Sequence, residues 1–308
     1  MLSHVTRENF GMQQSLFWTE KRREAITFLI LIAPNLLLLA IWTYWPFLQS
    51  LFLSMTDWNP LKPTWKFVGV DNYVKLLTSP LFWQITRNTL IFALGTVVIG
   101  LSVALALAVL LNQQLAGRAF WRFVYFSPHI TTSAAMALVW SSMYDPQYGI
   151  LASLTEWWGI ELPNLLASPV WVLPALMLVA IWKGLGFSTV VFLAALQGVD
   201  RSLKEAAAID GASGWQTFRH VVFPAISPIT NFLVVVGLMG AIKTFDLVAV
   251  MTGGGPANAS NLYVYQIYQE AFDYLRMGMA SALAVIMLAV IITLTLLQNW
   301  GKSRWVNY

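Results

Sequence analysis

The sequence predicts an all-α, polytopic integral membrane bundle of six transmembrane helices. Three observations carry that reading. Hydrophobic residues make up 58% of the 308-residue chain and charged residues only 10%, against roughly 25% charged in a soluble domain. Six apolar runs are each about as long as the 20 residues a helix needs to cross a bilayer. The Lys and Arg residues fall unevenly on the segments between those runs, as membrane topology requires.

The first run covers 26–50. It follows the charged stretch Glu20 to Glu24 and continues apolar to Phe52, too long for a cleavable signal and without a small-residue cleavage site. The others cover 87–111, 122–144, 170–195, 225–250 and 277–298. Backbone groups in lipid must bond within their own segment, so each run is expected to be helical. Pro34, Pro46, Pro128 and Pro174 are expected to kink or start these helices.

With both termini on the cytoplasmic side, eleven Lys and Arg face inward: Arg7, Lys21, Arg22, Arg23, Arg118, Arg122, Arg201, Lys204, Arg219, Lys302 and Arg304. Five face outward: Lys62, Lys66, Lys75, Arg87 and Arg276. This gives a cytoplasmic segment 1–25, a membrane domain 26–300 and a cytoplasmic tail 301–308. Outer loops are expected at 53–86, at 145–169 and around Thr252 to Ser260, where Gly253-Gly254-Gly255 reads as a flexible turn. The chain has no cysteine and three scattered histidines, so neither a metal site nor a thiol site is expected. The net charge of +4 gives no reason to expect nucleic acid as a partner.

One polar segment, 200–224, lies between the fourth and fifth runs, on the cytoplasmic side of this topology. Ser202 and Glu205 have capping-box spacing, Ala206, Ala207 and Ala208 are the strongest helix formers, and Gly211 stands where a left-handed residue ends a helix. Ser213 and Gln216 repeat the capping spacing and open a second helix, expected to end before Pro224. Two helices this short are marginal alone in water and need packing. Leu203, Ile209, Trp215, Phe218, Val221 and Val222 offer apolar contacts, and Glu205, Asp210 and Arg219 offer charge. Either the segment packs on its own membrane helices or it docks a cytoplasmic partner.

Glu205-Ala206-Ala207, Asp210-Gly211-Ala212, Phe218 and Pro224 resemble the EAA loop of bacterial ABC-importer permeases. Phe67 to Tyr73, and Phe245-Asp246 followed by Thr252 to Pro256, resemble signatures of the carbohydrate branch, which includes the maltose and glycerol-phosphate permeases. The resemblance covers roughly residues 27–300. It implies the transmembrane subunit of a type I ABC importer, in a bacterial inner membrane, translocating a sugar or sugar-like solute. It also implies that Glu205, Ala206, Ala207, Asp210, Gly211, Ala212, Trp215 and Phe218 contact the ATP-binding subunit. The implied partners are a second homologous permease, a dimer of ATP-binding subunits and an external solute-binding protein.

No phosphate-binding loop is present: Gly253-Gly254-Gly255 lacks the lysine that such a loop requires. The chain is therefore expected to be non-catalytic, with no cofactor of its own and with ATP bound by a partner. Lys243 and Asp246, three apart, are expected to share a helix face and pair. With Phe245, Asn231 and Trp182 they form the candidate solute path. Lys183 lies inside the fourth run, and His129 reads as a structural residue beside Pro128. The alternative is a self-sufficient, ion-coupled secondary transporter, which calls for a carboxylate at mid-membrane and an inverted repeat. Neither is evident. A membrane enzyme is disfavoured by the scatter of the histidines.

Overall fold

The computed structural model describes residues 22–113, 117–159 and 163–305. Of the cytoplasmic segments named above, residues 1–21 and 306–308 lie outside these residues. The described chain is almost wholly helical, with a single isolated antiparallel bridge between Thr56 and Phe67.

The chain divides into two units. The described part of the first, which ends at Leu53, is a single helix, α1 (Arg22–Leu53). Its long apolar surface has no buried residue within the unit, so a non-aqueous medium or another subunit must cover it. Midway it widens into a π-turn, Ala40–Tyr44, where the Trp45 N–H reaches back to the Ala40 carbonyl. Pro46 follows directly. A proline inside a helix lacks a donor and its ring clashes with the carbonyl four residues back. A π-turn shifts the register locally, and the helix continues through Pro46.

The second unit, Ser54 onward, contains α2 (Asp71–Thr78), α3 (Pro80–Leu111), α4 (Arg118–Ile130), α5 (Ser133–Met143), α6 (Ile150–Trp157) and α7 (Val172–Gln197). It continues with α8 (Arg201–Ile209), α9 (Gly214–Ile242), α10 (Asp246–Met251), α11 (Tyr263–Tyr268) and α12 (Met277–Trp305). Four of these, α3, α7, α9 and α12, are long and apolar enough to cross a membrane, and with α1 they make five among the described residues.

The third predicted run is not one helix. It is divided into α4 and α5 at Thr131 and Thr132, whose backbones are extended. Pro128 removes a donor from the last turn of α4, and the Thr-Thr-Ser sequence that follows supplies hydroxyls that compete for backbone bonds. At 1.5 Å per residue, the 11 residues of α5 span about 17 Å, short of the roughly 30 Å hydrocarbon core. The fifth run also breaks. α9 ends at Ile242, and Lys243 to Phe245 separate it from α10.

Packing centres on α3 and α7. One cluster joins Phe92 of α3, Leu176 and Val179 of α7, Ala137 of α5 and Val248 of α10. A second joins Ala104 and Ala108 of α3, Phe192 of α7 and Ile226 and Leu233 of α9. A third joins Ile85, Tyr263 and Leu283. In lipid, apolar burial does not drive helices together, so close van der Waals contact between small residues does that work. Gly186 of α7 packs directly on the backbone of α4. A Cβ there would lie 2.2 Å from the Tyr125 carbonyl oxygen of α4.

The loop Thr252 to Ser260, expected as an outer loop with a flexible Gly253-Gly254-Gly255 turn, is tied by hydrogen bonds within itself and to α3. Ser260 is fully buried. Its hydroxyl donates to the Gly255 carbonyl at 2.6 Å and lies 2.8 Å from the Thr252 hydroxyl. Asn88 of α3 donates to the Asn258 carbonyl at 2.8 Å, and Gln84 to that of Ala257 at 2.9 Å. The left-handed Gly254 leaves no room for a side chain, because a Cβ would meet the Tyr265 ring at 2.9 Å. Hydrogen bonds to buried polar groups hold this loop against the end of α3.

Candidate functional site

Two places concentrate chemistry. The first is the polar segment around α8. Its helix starts at Asp200, not at Ser202: Asp200 Oδ1 accepts the Ser202 N–H at 2.9 Å. That bond, with a second from the Ser202 hydroxyl, holds the Asp200 carboxyl below the usual aspartate range. Ser202 and Glu205 therefore form no capping box. Aspartate is as good an N-cap as serine and lies two residues earlier, at the helix boundary. Glu205 instead pairs with Arg201 one turn back, at 2.8 Å.

The end of α8 matches expectation. Gly211 is left-handed at φ +77°. Its N–H donates to the Ala208 carbonyl at 3.1 Å, and the next N–H, of Ala212, to that of Ala207 at 3.0 Å. This pair of bonds is a Schellman motif. Ser213 then caps α9 in the predicted box: the Gln216 N–H donates to Ser213 Oγ, and the Ser213 N–H donates to Gln216 Oε1 at 2.7 Å. α9 does not end before Pro224. A second π-turn, Phe218–Val222, precedes that proline, and the helix runs on to Ile242. The lower turns of α9 and its membrane-length body are one continuous rod.

The faces of the segment differ. Ala207, Ala212, Thr217 and Phe218 are half-buried, and Phe218 packs with the α3–α7–α9 cluster, to which the buried Val222 belongs. Glu205, Ala206, Asp210, Gly211 and Trp215 are exposed. Three large apolar side chains stand out: Ile209 is 87% exposed, Trp215 68% and Leu203 51%. Trp215 is fixed by stacking on Phe218, with ring centroids 5.8 Å apart.

The second place is a cavity of about 480 Å³ among α3, α4, α7 and α9. Lys243, Phe245 and Asp246 line it, as do Lys183, His129, Ser133, Thr96 and Phe187. Lys243 and Asp246 do not form the expected ion pair: the ion pairs among the described residues are Lys75–Asp71, Arg201–Glu205 and Arg276–Glu270. The reason is the helix break between them, which removes the one-turn spacing. Lys183 donates to Ser133 Oγ, and His129 stacks on Phe187 at 5.3 Å. Asn231 and Trp182 are not on this lining. Gln298 of α12 donates to both the carbonyl and the side-chain oxygen of Asn231 at 3.1 Å, and Trp182 meets Trp140 edge to face at 5.4 Å.

A set of membrane-length helices around a charged cavity, with a capped and exposed turn outside it, defines a membrane transport subunit. The chain belongs to the family of binding-protein-dependent transport system inner membrane components, whose model matches residues 17–306.

Its relatives include the sn-glycerol-3-phosphate transport system permease protein UgpA of Agrobacterium fabrum (strain C58), 33% identical over 91% of this chain and 95% of that one. The protein of the same name from Yersinia pestis is 34% identical over 91% and 95%. In fold, the chain resembles a chain of a bacterial alginate ABC transporter solved with an alginate-pentasaccharide-bound periplasmic protein. The TM-score is 0.81 at 22% identity, over 93% of this chain and 97% of that chain. The protein is thus a multi-pass inner-membrane permease subunit of an ABC importer, not an ion-coupled secondary transporter.

Proposed function

We propose that this permease carries a sugar or sugar-like solute through the cavity bounded by α3, α4, α7 and α9, and that the turn between α8 and α9 couples that movement to ATP hydrolysis on a partner. The observation that carries the coupling reading is the exposed triad of Leu203, Ile209 and Trp215 on a turn capped at every end. A rigid, apolar knob with charged edges fits a cleft on another protein better than it fits water. Because α9 runs unbroken from Gly214 to Ile242, a displacement of the knob moves the cavity wall at Gly237, Gly240 and Ala241.

In this reading the turn and both termini face the cytoplasm. A dimer of ATP-binding subunits grips the turn, a second permease completes the pore, and an external binding protein delivers the solute. The chain contributes no catalytic group and binds no cofactor. ATP-driven closure of the partner dimer rocks the helices between inward-open and outward-open arrangements. Support for the sugar-like solute comes from the named relatives and from the mixed lining of aromatic and hydrogen-bonding side chains.

The test is uptake by proteoliposomes containing the assembled transporter. Uptake that needs ATP and the ATP-binding subunit supports the coupling. Uptake driven by an ion gradient through this chain alone contradicts it.

A further inference from the structure

We infer that α6 is an in-plane membrane anchor: its face formed by Ile150, Leu154, Trp157 and Trp158 lies in the headgroup boundary of the bilayer, at the end of α7 away from α8. The occupant of this face is lipid, not water and not another protein. This surface stands apart from the solute cavity and the coupling turn.

The segment between α5 and α7 reads from the sequence as an outer loop, yet it holds the helix Ile150–Trp157. The three sides of this helix differ. Leu151 packs against the cluster that contains Trp140, Leu173 and Leu176, and Ala152 and Thr155 are half-buried. Ser153 and Glu156, three apart, are polar and exposed. Ile150, Leu154, Trp157 and Trp158 are spaced i, i+4, i+7 and i+8, a single stripe on a helix. All four are exposed, Trp157 at 82% and Trp158 at 73%.

The height of α6 along the bundle is fixed. The hydroxyl of Tyr144, directly after α5, donates to the Ala175 carbonyl in the first turn of α7 at 3.0 Å. The elbow that follows is closed. Asp145 Oδ1 accepts the N–H groups of Gln147 and Tyr148 at 2.8 and 2.9 Å, and a Cβ at Gly149 would lie 2.3 Å from the Asp145 carbonyl oxygen. α6 is thereby held beside the first turn of a membrane-length helix, where hydrocarbon gives way to headgroups. Trp171, the N-cap of α7, and Val170 before it are exposed at the same end.

Tryptophan is enriched at that level, because its ring is apolar and its N–H is polar. A helix this short is marginal in water, so its apolar stripe needs a cover. A soluble partner that binds and leaves would return both tryptophans to water between visits, whereas lipid covers them throughout. Residues 123–182 include no Lys or Arg, so no basic side chain draws acidic headgroups here. The anchor holds by apolar contact, with Ser153 and Glu156 turned to the aqueous side.

The chain has no cysteine, so single spin labels are placed through Ser153→Cys, Leu154→Cys, Glu156→Cys or Trp157→Cys in the assembled transporter in proteoliposomes. Relaxation by oxygen, which concentrates in lipid, is compared with relaxation by a nickel chelate, which stays in water. The expected result is oxygen dominance at 154 and 157 and nickel dominance at 153 and 156. The pattern should be the same in phosphatidylcholine vesicles and in vesicles that also contain phosphatidylglycerol. The 154 and 157 labels report the same face, so either decides the test if the other variant fails to assemble.

Nickel dominance at 154 and 157 would put the face in water and overturn the inference. Shielding of both positions from both reagents would put it against protein and overturn it equally, whether the shielding is constant, as with a second permease, or appears only when a solute-binding protein is added. Oxygen dominance that disappears in the phosphatidylcholine vesicles would mean that headgroup charge holds the face, against an apolar anchor.

Discussion

The Ala212 N–H donates to the Ala207 carbonyl at 3.0 Å across the left-handed Gly211. This closure turns the chain sharply between α8 and α9 and fixes the direction in which Ile209 and Trp215 project. A residue at position 211 must adopt φ near +77°, although a Cβ there would meet nothing within 4 Å. Backbone conformation, not space, selects glycine.

Gly211→Pro should therefore abolish uptake while the protein still inserts in the membrane, because proline is locked near φ −65°. Gly211→Ala keeps the turn at a cost of about 1–2 kcal/mol for a left-handed alanine and should leave uptake reduced but measurable. Transport assays on membranes with matched protein content check both.

Glu205→Lys replaces the Arg201 pair by like charges one turn apart. The exposed pair contributes only about 0.3–0.5 kcal/mol, so α8 should survive. Reversal of charge on the docking face should weaken association with the ATP-binding subunit on the order of tenfold, about 1.4 kcal/mol. Co-purification at graded partner concentrations reads this directly.

The Asp200 cap gives a pH dependence of known sign. A carboxylate whose folded-state pKa is depressed stabilises the fold above its ordinary range, and that contribution is lost as pH falls through the depressed value. The protection of α8 amides against hydrogen exchange, relative to the intrinsic rate at each pH, should fall at acid pH below the usual aspartate range. Asp200→Ala should show fast exchange even at neutral pH, and Asp200→Asn should keep slow exchange with a flatter pH profile.

Gly186 and Gly184 lie two residues apart on α7 and differ in surroundings. A Cβ at 186 would meet backbone atoms of Tyr125 and Phe126 at 2.2 and 2.8 Å, whereas one at 184 would meet nothing within 4 Å. Backbone cannot swing aside as a side chain can. Gly186→Ala should destabilise the protein by about 1–3 kcal/mol through overpacking, and Gly184→Ala should not. Thermal unfolding in detergent separates the two.

Much of this architecture was legible in the sequence because membrane helices announce themselves by length and hydropathy. The breaks inside the third and fifth runs interrupt segments whose overall hydropathy is that of a single span. Pro128 with Thr131-Thr132, and the polar Lys243-Thr244 step, were the available signals. Pro224 misled in the opposite direction. A π-turn placed just before it lets α9 continue, and nothing in a proline's identity tells a kink from an end.

The turn at Gly211 and the box at Ser213 followed from local chemistry. The cap at Asp200 was displaced because two adequate capping residues stood close together. The cavity needed three dimensions: His129, Ser133, Lys183 and Lys243 come from separate elements, and no spacing in the chain links them. Asn231 and Trp182 had the right chemistry for a solute, yet Gln298 and Trp140 already engage them.

The coupling claim is tested most directly by cross-linking at Ile209. The chain has no cysteine, so Ile209→Cys gives a unique thiol at the most exposed point of the knob. In inverted membrane vesicles carrying the assembled transporter, a short thiol–amine reagent should join this position to the ATP-binding subunit, and Gly211→Pro should abolish the product. A thiol that an impermeant maleimide labels only from outside intact cells, with no cross-link to that subunit, would contradict the account.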